Sequence, residues 1–439
     1  MTSLSTINRR NLRGVHAVRL NSGPQLLVER IGMRLIDVSM IVITAMSLAN
    51  FNELILPPPF SPGLQQAVSF VLWLVVIYAT FLVRPVTHIS MPAGVVLLWA
   101  LYGFAAVSVL WANYSASSIL KGLTLLITTF GAYRLVLAVP VDRIILNIIH
   151  GLFILVAVSL LTVLFAPKIG VVQLWAHHGK WKGIFESKQS LGTGSAILLF
   201  LALQRRMQGH NKRYCSIAAL LAIVCVVGAG SRGGGVIAVS AFIISYLALR
   251  SPKLSHWLAF TPFVMTLVGA GIITFFVATG YRFIPLFGVE LDLSSRTFIW
   301  QFSLSHFLEH PLLGFGLNGF WSQDQILSDF RHEYRWVLDN FHSGYVGIAM
   351  ELGVIGYCLF AAGVWAWGQR ITETARTHGP SEHTALSVSL VNLLFFIDFT
   401  ETFFLRSTNI LAILLIALMF RSYAEPTGPI QSGAATGDL

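Results

Sequence analysis

Long apolar runs alternate with short polar connectors along this chain. Runs near the roughly 17–25 residues that cross a bilayer fall at about 33–50, 66–83, 92–111, 119–139, 143–165, 190–205, 214–230, 233–250, 257–279, 343–368, 384–400 and 404–421. The pattern predicts an all-α polytopic membrane protein with about 12 transmembrane helices. Residues 1–279 hold the first part of the bundle and 343–422 the last part, with a long loop at 280–342 between them. The tail, 423–439, is small and polar and reads as disordered. The chain shows no internal repeat.

The long loop carries its own pattern. Residues 295–309 read as an amphipathic helix with Phe298, Phe302, Leu304 and Phe307 on its apolar side and Arg296 near its start. Ser294 or Ser295 would cap it, and it is expected to lie along the membrane interface. Arg296 and Trp300 are four residues apart and share a face.

Composition agrees with a membrane bundle. Apolar residues make up 55% of the 439 and charged residues 11%, with a mean hydropathy of +0.73; soluble domains carry about 25% charged residues. A net charge of +10 raises the question of nucleic acid. Here Arg84, Arg143, Arg205, Arg206, Lys212, Arg213, Arg250, Lys253, Arg370, Arg376 and Arg421 fall in alternate connectors or at span ends, whereas 51–65 and 112–118 contain no Lys or Arg. That asymmetry is orientation by positive-inside loops, not nucleic-acid binding. It puts both termini in the cytoplasm and 280–342 outside. The three cysteines give neither a disulfide framework nor metal spacing.

Three outer elements carry basic residues against that rule. They are the 166–189 loop with Lys168, Lys180, Lys182 and Lys188 beside Glu186, the glycine-rich turn around Arg232, and the long loop with Arg282, Arg296, Arg331 and Arg335. An anionic ligand accounts for such charge, because arginine holds phosphate oxygens bidentately.

Individual motifs then divide. Gly314 to Gly319 spells G-x-G-x-x-G, but His310-Pro311 precedes it and no strand-to-helix setting surrounds it. Close turns explain it better than a dinucleotide site. Arg232 follows Gly230-Ser231 and precedes three glycines; it is either an interfacial arginine on a packing face or part of an anion site at a helix start. His342 stands where the long loop re-enters the bundle and could move a proton or donate a hydrogen bond. Glu351 lies nine residues on, on the opposite helix face, which suits packing or hydrogen bonding. Asp398 and Glu401 stand near the outer end of the penultimate span. No spacing of ligands offers a catalytic metal a home, so no metal or cofactor is expected.

Taken together, these residues resemble the O-antigen ligase and Wzy-type polysaccharide polymerase superfamily. Trp181-Lys182-Gly183-Ile184-Phe185-Glu186-Ser187-Lys188-Gln189-Ser190-Leu191-Gly192 looks like its first motif, W-x-G-x-F-x-x-K-N-x-L-G. Gly230-Ser231-Arg232-Gly233 looks like its S-R-G turn. Arg296 to Trp300, His310 to Gly316, His342 to Tyr345 and Glu351-Leu352-Gly353 follow its C-terminal signature in order. Two places depart: Ser187 and Gln189 stand where the family usually has His and Asn, and Ser343 where it has Asn. The first motif is most similar to the exopolysaccharide-production, succinoglycan polymerase-like branch.

The resemblance implies a metal-independent, inverting glycosyltransferase of the bacterial inner membrane with a GT-C-like bundle and a periplasmic active site. Its donor would be an oligosaccharide on undecaprenyl pyrophosphate, with chain-length regulator and export proteins as candidate partners. Arg232, Arg296, Lys188 and Lys182 would hold the pyrophosphate, His342 would orient or deprotonate the acceptor, and Gln189, Glu401 and Asp398 would contact it. A ligase acting on lipid A-core or protein is the alternative within the family. A polysaccharide or glycolipid flippase is the alternative of another class.

Overall fold

The computed structural model describes residues 23–48, 62–84, 91–112, 116–173, 178–281, 284–286, 289–291, 296–335, 340–379 and 381–424. Every apolar run of the sequence holds a helix there, although the last helix begins only at Ile410 and not near 404. The first part holds α1 (Gly23–Leu48), α2 (Pro62–Val83), α3 (Ala93–Val107), α4 (Ala116–Ala138), α5 (Val141–Phe165), the single turn α6 (Pro167–Gly170), α7 (Lys188–Met207), α8 (Lys212–Ala229), α9 (Arg232–Arg250) and α10 (Pro252–Thr279). The long loop adds a small antiparallel hairpin, β1 (Ile284–Leu286) with β2 (Val289–Leu291), and two short helices, α11 (Arg296–Ser305) and α12 (Asp324–Tyr334). The last part holds α13 (Gly344–His378), α14 (Glu382–Ile397) and α15 (Ile410–Arg421). The expected tail and the expected caps at Ser294 and Ser295 lie outside the described residues.

Among the described residues, nine helices are long and apolar enough to cross a membrane. Several are apolar all round: Val227, Val239 and Val264 are exposed on the rim, as a lipid-facing surface requires. The protein is therefore an all-α polytopic membrane protein. α7 differs. It carries Lys188, Gln189, Gln204, Arg205 and Arg206, and it is buried among α5, α8 and α9. A helix wrapped by protein needs no lipid-compatible exterior, so it tolerates these polar residues.

Basic residues gather at one end of the bundle, where helix ends tie together. Arg143 grips Asp37 through two bonds of 2.8 and 2.6 Å, and Arg205 reaches Asp142 at 2.7 Å. Arg84 donates to the Leu137 carbonyl at 3.0 Å and Arg421 to that of Val136 at 3.2 Å. At the opposite end lie the starts of α7, α9 and α13 and the irregular stretch 398–409.

Two expectations need correction. The run at 343–368 is not one continuous span. α13 is broken at Gly353 (φ +63°, ψ −164°). The segment 311–316 fills the break: the Phe315 and Gly316 amides donate to the Met350 and Glu351 carbonyls at 2.8 and 2.9 Å. The Val354 and Ile355 amides donate to Pro311 and Leu312 at 2.9 and 3.2 Å. The stretch that opens the G-x-G-x-x-G string is thus the closure of a broken helix, whose freed backbone groups must find partners. Secondly, the amphipathic helix α11 does not present its apolar face outward. Ile299, Trp300, Phe302 and Leu304 are buried with Phe276, Phe320, Phe330, Phe341 and Met350 in a second core. The loop contributes enough aromatic residues of its own to cover that face, while Phe298 is only partly buried against Tyr334.

Gly314 stands at φ +68°, and a Cβ there would lie 2.5 Å from the Glu351 carbonyl carbon and the Leu352 nitrogen. Both neighbours are backbone and cannot swing aside. Gly314→Ala is expected to destabilise by overpacking of roughly 1–3 kcal/mol, plus the strain of a left-handed alanine. The melting temperature in detergent should fall, while Gly271→Ala, which meets nothing within 4 Å, should be tolerated. An unchanged melting temperature for Gly314→Ala would show that the closure is loose.

Candidate functional site

Two helices start side by side at the end remote from the basic ties. α7 begins after Ser187, whose hydroxyl accepts from the Ser190 amide at 3.1 Å. α8 stops in the left-handed Gly230 (φ +58°), and α9 begins at once, capped by Ser231 accepting from the Gly234 amide at 3.1 Å. The two starts touch because both carry glycine at the crossing. A Cβ on Gly192 would lie 2.2 Å from that of Ser231, and one on Gly234 would lie 2.7 Å from the Gly192 carbonyl oxygen.

A cavity of about 460 Å³ opens against these two starts. Lys188, Gln189 and Thr193 of α7, Ser231, Gly233 and Ile237 of the α9 start, Lys180, Gly230, Arg296, Ile397, Thr400 and Glu401 line it. Arg296, the first residue of α11, donates from Nε to the Thr400 carbonyl at 3.0 Å and stands 3.6 Å from Glu401. Each helix start contributes about half a positive charge and unsatisfied N–H groups. With Lys180, Lys188 and Arg296 they make a strongly basic chamber. Glu401 is the carboxylate among the described lining residues. Burial pushes its pKa up from 4.5 to about 7; Glu186 adds to the rise, and Arg296 opposes it.

The residues singled out from sequence separate here. Lys188, Gln189, Arg296 and Glu401 meet at the cavity, and Arg232 opens α9 between the lining residues Ser231 and Gly233, its side chain outside the described residues. Lys182 does not line it; Lys182 begins a turn closed by the Phe185 amide on its carbonyl at 3.1 Å, and Lys180 is the lysine in the lining. Asp398, expected to meet the acceptor, is fully buried, and its carboxylate accepts from the Phe403 amide at 2.8 Å. No room remains there for a sugar.

His342 is not among the residues lining the cavity, but the same platform holds it. Its backbone is left-handed (φ +46°), with its amide on Asn340 Oδ1 at 2.9 Å. The next two amides bind the 398–402 stretch: Ser343 to the Thr402 hydroxyl at 3.0 Å and Gly344 to the Asp398 carbonyl at 2.8 Å. Trp300 donates to the Phe341 carbonyl at 3.1 Å. Arg296 and His342 are therefore fixed relative to each other through residues 398–402 and α11.

Sequence reasoning missed Arg406. It holds the buried Glu351 with two bonds of 3.1 and 2.8 Å. An acid inside a span demands a partner, but Arg406 lies within the apolar run 404–421, whose pattern predicts a helix. Arg406 also lines a second polar cavity of about 380 Å³ with Lys121, Glu186, Asn318, Asn340 and Ser407.

The arrangement defines a polytopic α-helical membrane protein with a basic cavity built on helix starts. Residues 217–361, about a third of the chain, match the family model described as O-antigen ligase. The matched segment contains Arg232, Arg296, His342 and the broken start of α13, while Lys188 lies outside it. No curated protein and no solved structure matches the chain.

Removing one partner of a buried pair leaves an uncompensated charge, typically costing about 3–5 kcal/mol. Arg406→Ala should therefore destabilise the protein strongly in a detergent melt. The double variant Arg406→Met with Glu351→Leu should recover most of the loss. A single Arg406→Ala variant as stable as the wild type would show that the pair does not hold the broken helix.

Proposed function

We propose that the chain is a glycosyltransferase that polymerises a bacterial exopolysaccharide, drawing lipid-linked repeat units from undecaprenyl pyrophosphate. The observation that carries this reading is the convergence of two helix starts, Arg296, Lys188 and Lys180 on one cavity. Such a chamber suits a pyrophosphate. The family match supports an enzyme that handles lipid-linked glycan.

The acceptor hydroxyl attacks the anomeric carbon, the bond from that carbon to the phosphate oxygen breaks, and its electron pair leaves with undecaprenyl pyrophosphate. The configuration inverts. Arg232 and Arg296 hold the pyrophosphate and stabilise the charge that develops on it; one such contact is typically worth about 10²–10³ in rate. Lys188 and Lys180 add point charges. His342, outside the lining and fixed by its backbone, serves to position the acceptor. The second cavity, with its amides and hydroxyls, suits the incoming glycan.

The match to the O-antigen ligase family also supports a second reading, a ligase, which would move a finished glycan to lipid A-core or protein. A ladder of chain lengths on the lipid carrier identifies a polymerase; a single transfer to another acceptor identifies a ligase. Turnover in detergent without a gradient excludes a flippase.

Arg232→Ala and Arg296→Ala should each abolish polymer while leaving the protein in the membrane, with lysine a poor substitute for the planar guanidinium. Full activity in either alanine variant would remove that residue from the site. The reading also needs the cavity on the outer side of the inner membrane. In a background lacking the exposed Cys358, an impermeant thiol reagent added outside should label Ser322→Cys and spare Gly209→Cys. The reverse pattern would turn the site to the wrong side.

A further inference from the structure

The basic cavity contains a feature that pyrophosphate binding does not explain. A carboxylate beside an anion site opposes binding, yet Glu401 lines the chamber with Lys180, Lys188 and Arg296. We propose that Glu401 accepts the proton of the acceptor hydroxyl during transfer. This rests on the glycosyltransferase reading above and adds to it the group that completes the proton balance.

The neighbouring candidates do not line the chamber. Asp398 is sealed in the protein with its carboxylate on the Phe403 amide. Glu351 is 1% exposed and closed onto Arg406 by two hydrogen bonds. His342 does not line the chamber. Glu401 is half-buried and reaches the cavity, and its contact with Arg296 is 3.6 Å, against 2.8 Å for the tight Arg406–Glu351 pair. That looser ion pair leaves carboxylate lone pairs to accept from a hydroxyl.

The charges around Glu401 suit the task. Arg296 faces it from α11, Glu186 from the turn before α7, and Lys180 and Lys188 across the cavity; Asp398 and Arg406 share its own loop. Burial and Glu186 together bring its pKa to about 7. A base at that value is both populated and basic enough at neutral pH. Glu186 also lines the second cavity, the one assigned above to the incoming glycan. In the step, the acceptor oxygen bonds to the anomeric carbon, the carbon–phosphate-oxygen bond breaks onto the pyrophosphate, and the hydroxyl proton passes to Glu401. The resulting acid then loses that proton to solvent.

The test uses the full-length protein in nanodiscs, with the lipid-linked oligosaccharide extracted from the producing strain as substrate. The rate kcat/KM is followed from about pH 5 to 9, and binding of undecaprenyl pyrophosphate is measured separately. Below the pKa the base is protonated, so the wild-type rate should rise about tenfold per pH unit up to about 7 and then level. Glu401→Gln should lose about 10²–10⁴ of the rate and the acid limb with it. It should bind undecaprenyl pyrophosphate at least as tightly as the wild type, because a negative charge has gone; this also shows that the variant is folded. His342→Gln should keep the acid limb. A Glu401→Gln enzyme that retains the limb or the wild-type rate overturns the proposal. So does one that fails to bind undecaprenyl pyrophosphate, since Glu401 then serves only to hold Arg296. If the wild type transfers no glycan from the lipid carrier, the glycosyltransferase reading itself fails and this proposal with it.

Discussion

Backbone groups that leave a helix inside a membrane bundle have no water to receive them, and each unsatisfied group costs several kcal/mol, about 2–7 by transfer data. This constraint shapes the functional end of the protein. α13 breaks at Gly353, and the break survives because residues 311–316 supply and receive four hydrogen bonds across it. Between α14 and α15 the chain is irregular from 398 to 409, and that stretch is satisfied by its own turns, by Asp398 and by the start of α13. The two irregular pieces meet through Glu351 and Arg406. Arg296 and the approach to His342 then hang on the same stretch.

This dependence explains why a buried ion pair stands so near the site. Such pairs add little net stability, since desolvation offsets much of their attraction. Their geometry is nevertheless specific. The bidentate grip of Arg406 ties the broken start of α13 to the 398–409 stretch, on which Arg296 and the residues after His342 also bond. A well-packed apolar pair would fill the volume without specifying that tie.

Much of the architecture was legible in the sequence because lipid imposes a length and composition on every helix that faces it. The apolar runs mark all the long helices, and three of the misplaced basic residues, Lys180, Lys188 and Arg296, meet at one cavity. What stayed hidden follows from protein–protein burial, which hydropathy cannot see. The break in α13 lies within an unbroken apolar run, because a glycine at φ +63° reads like any other glycine. Arg406 sits at the head of an apolar segment and looks like part of it. α11 has the pattern of an interfacial helix, yet its aromatic face is covered by Phe320, Phe330 and Phe341, which are distant in sequence. Lys180 and Lys182 are alike in composition, and only the turn beginning at Lys182 decides which one faces the cavity.

The departures from the family pattern can be understood in the same terms. Ser187 stands where the resemblance leads one to expect histidine, and it caps α7 through its hydroxyl. Ser343 stands where asparagine is usual, and its backbone amide, not its side chain, ties it to Thr402. Gln189 keeps an amide at the cavity lining. At two of these positions the structure uses backbone groups and helix caps, which other residue types can also provide. The anion-facing charge at this end comes partly from helix starts, and a helix start carries its partial charge whatever side chain caps it. Arg296 differs, because a planar guanidinium must reach from α11 across to Thr400 and Glu401, and no backbone dipole can replace it.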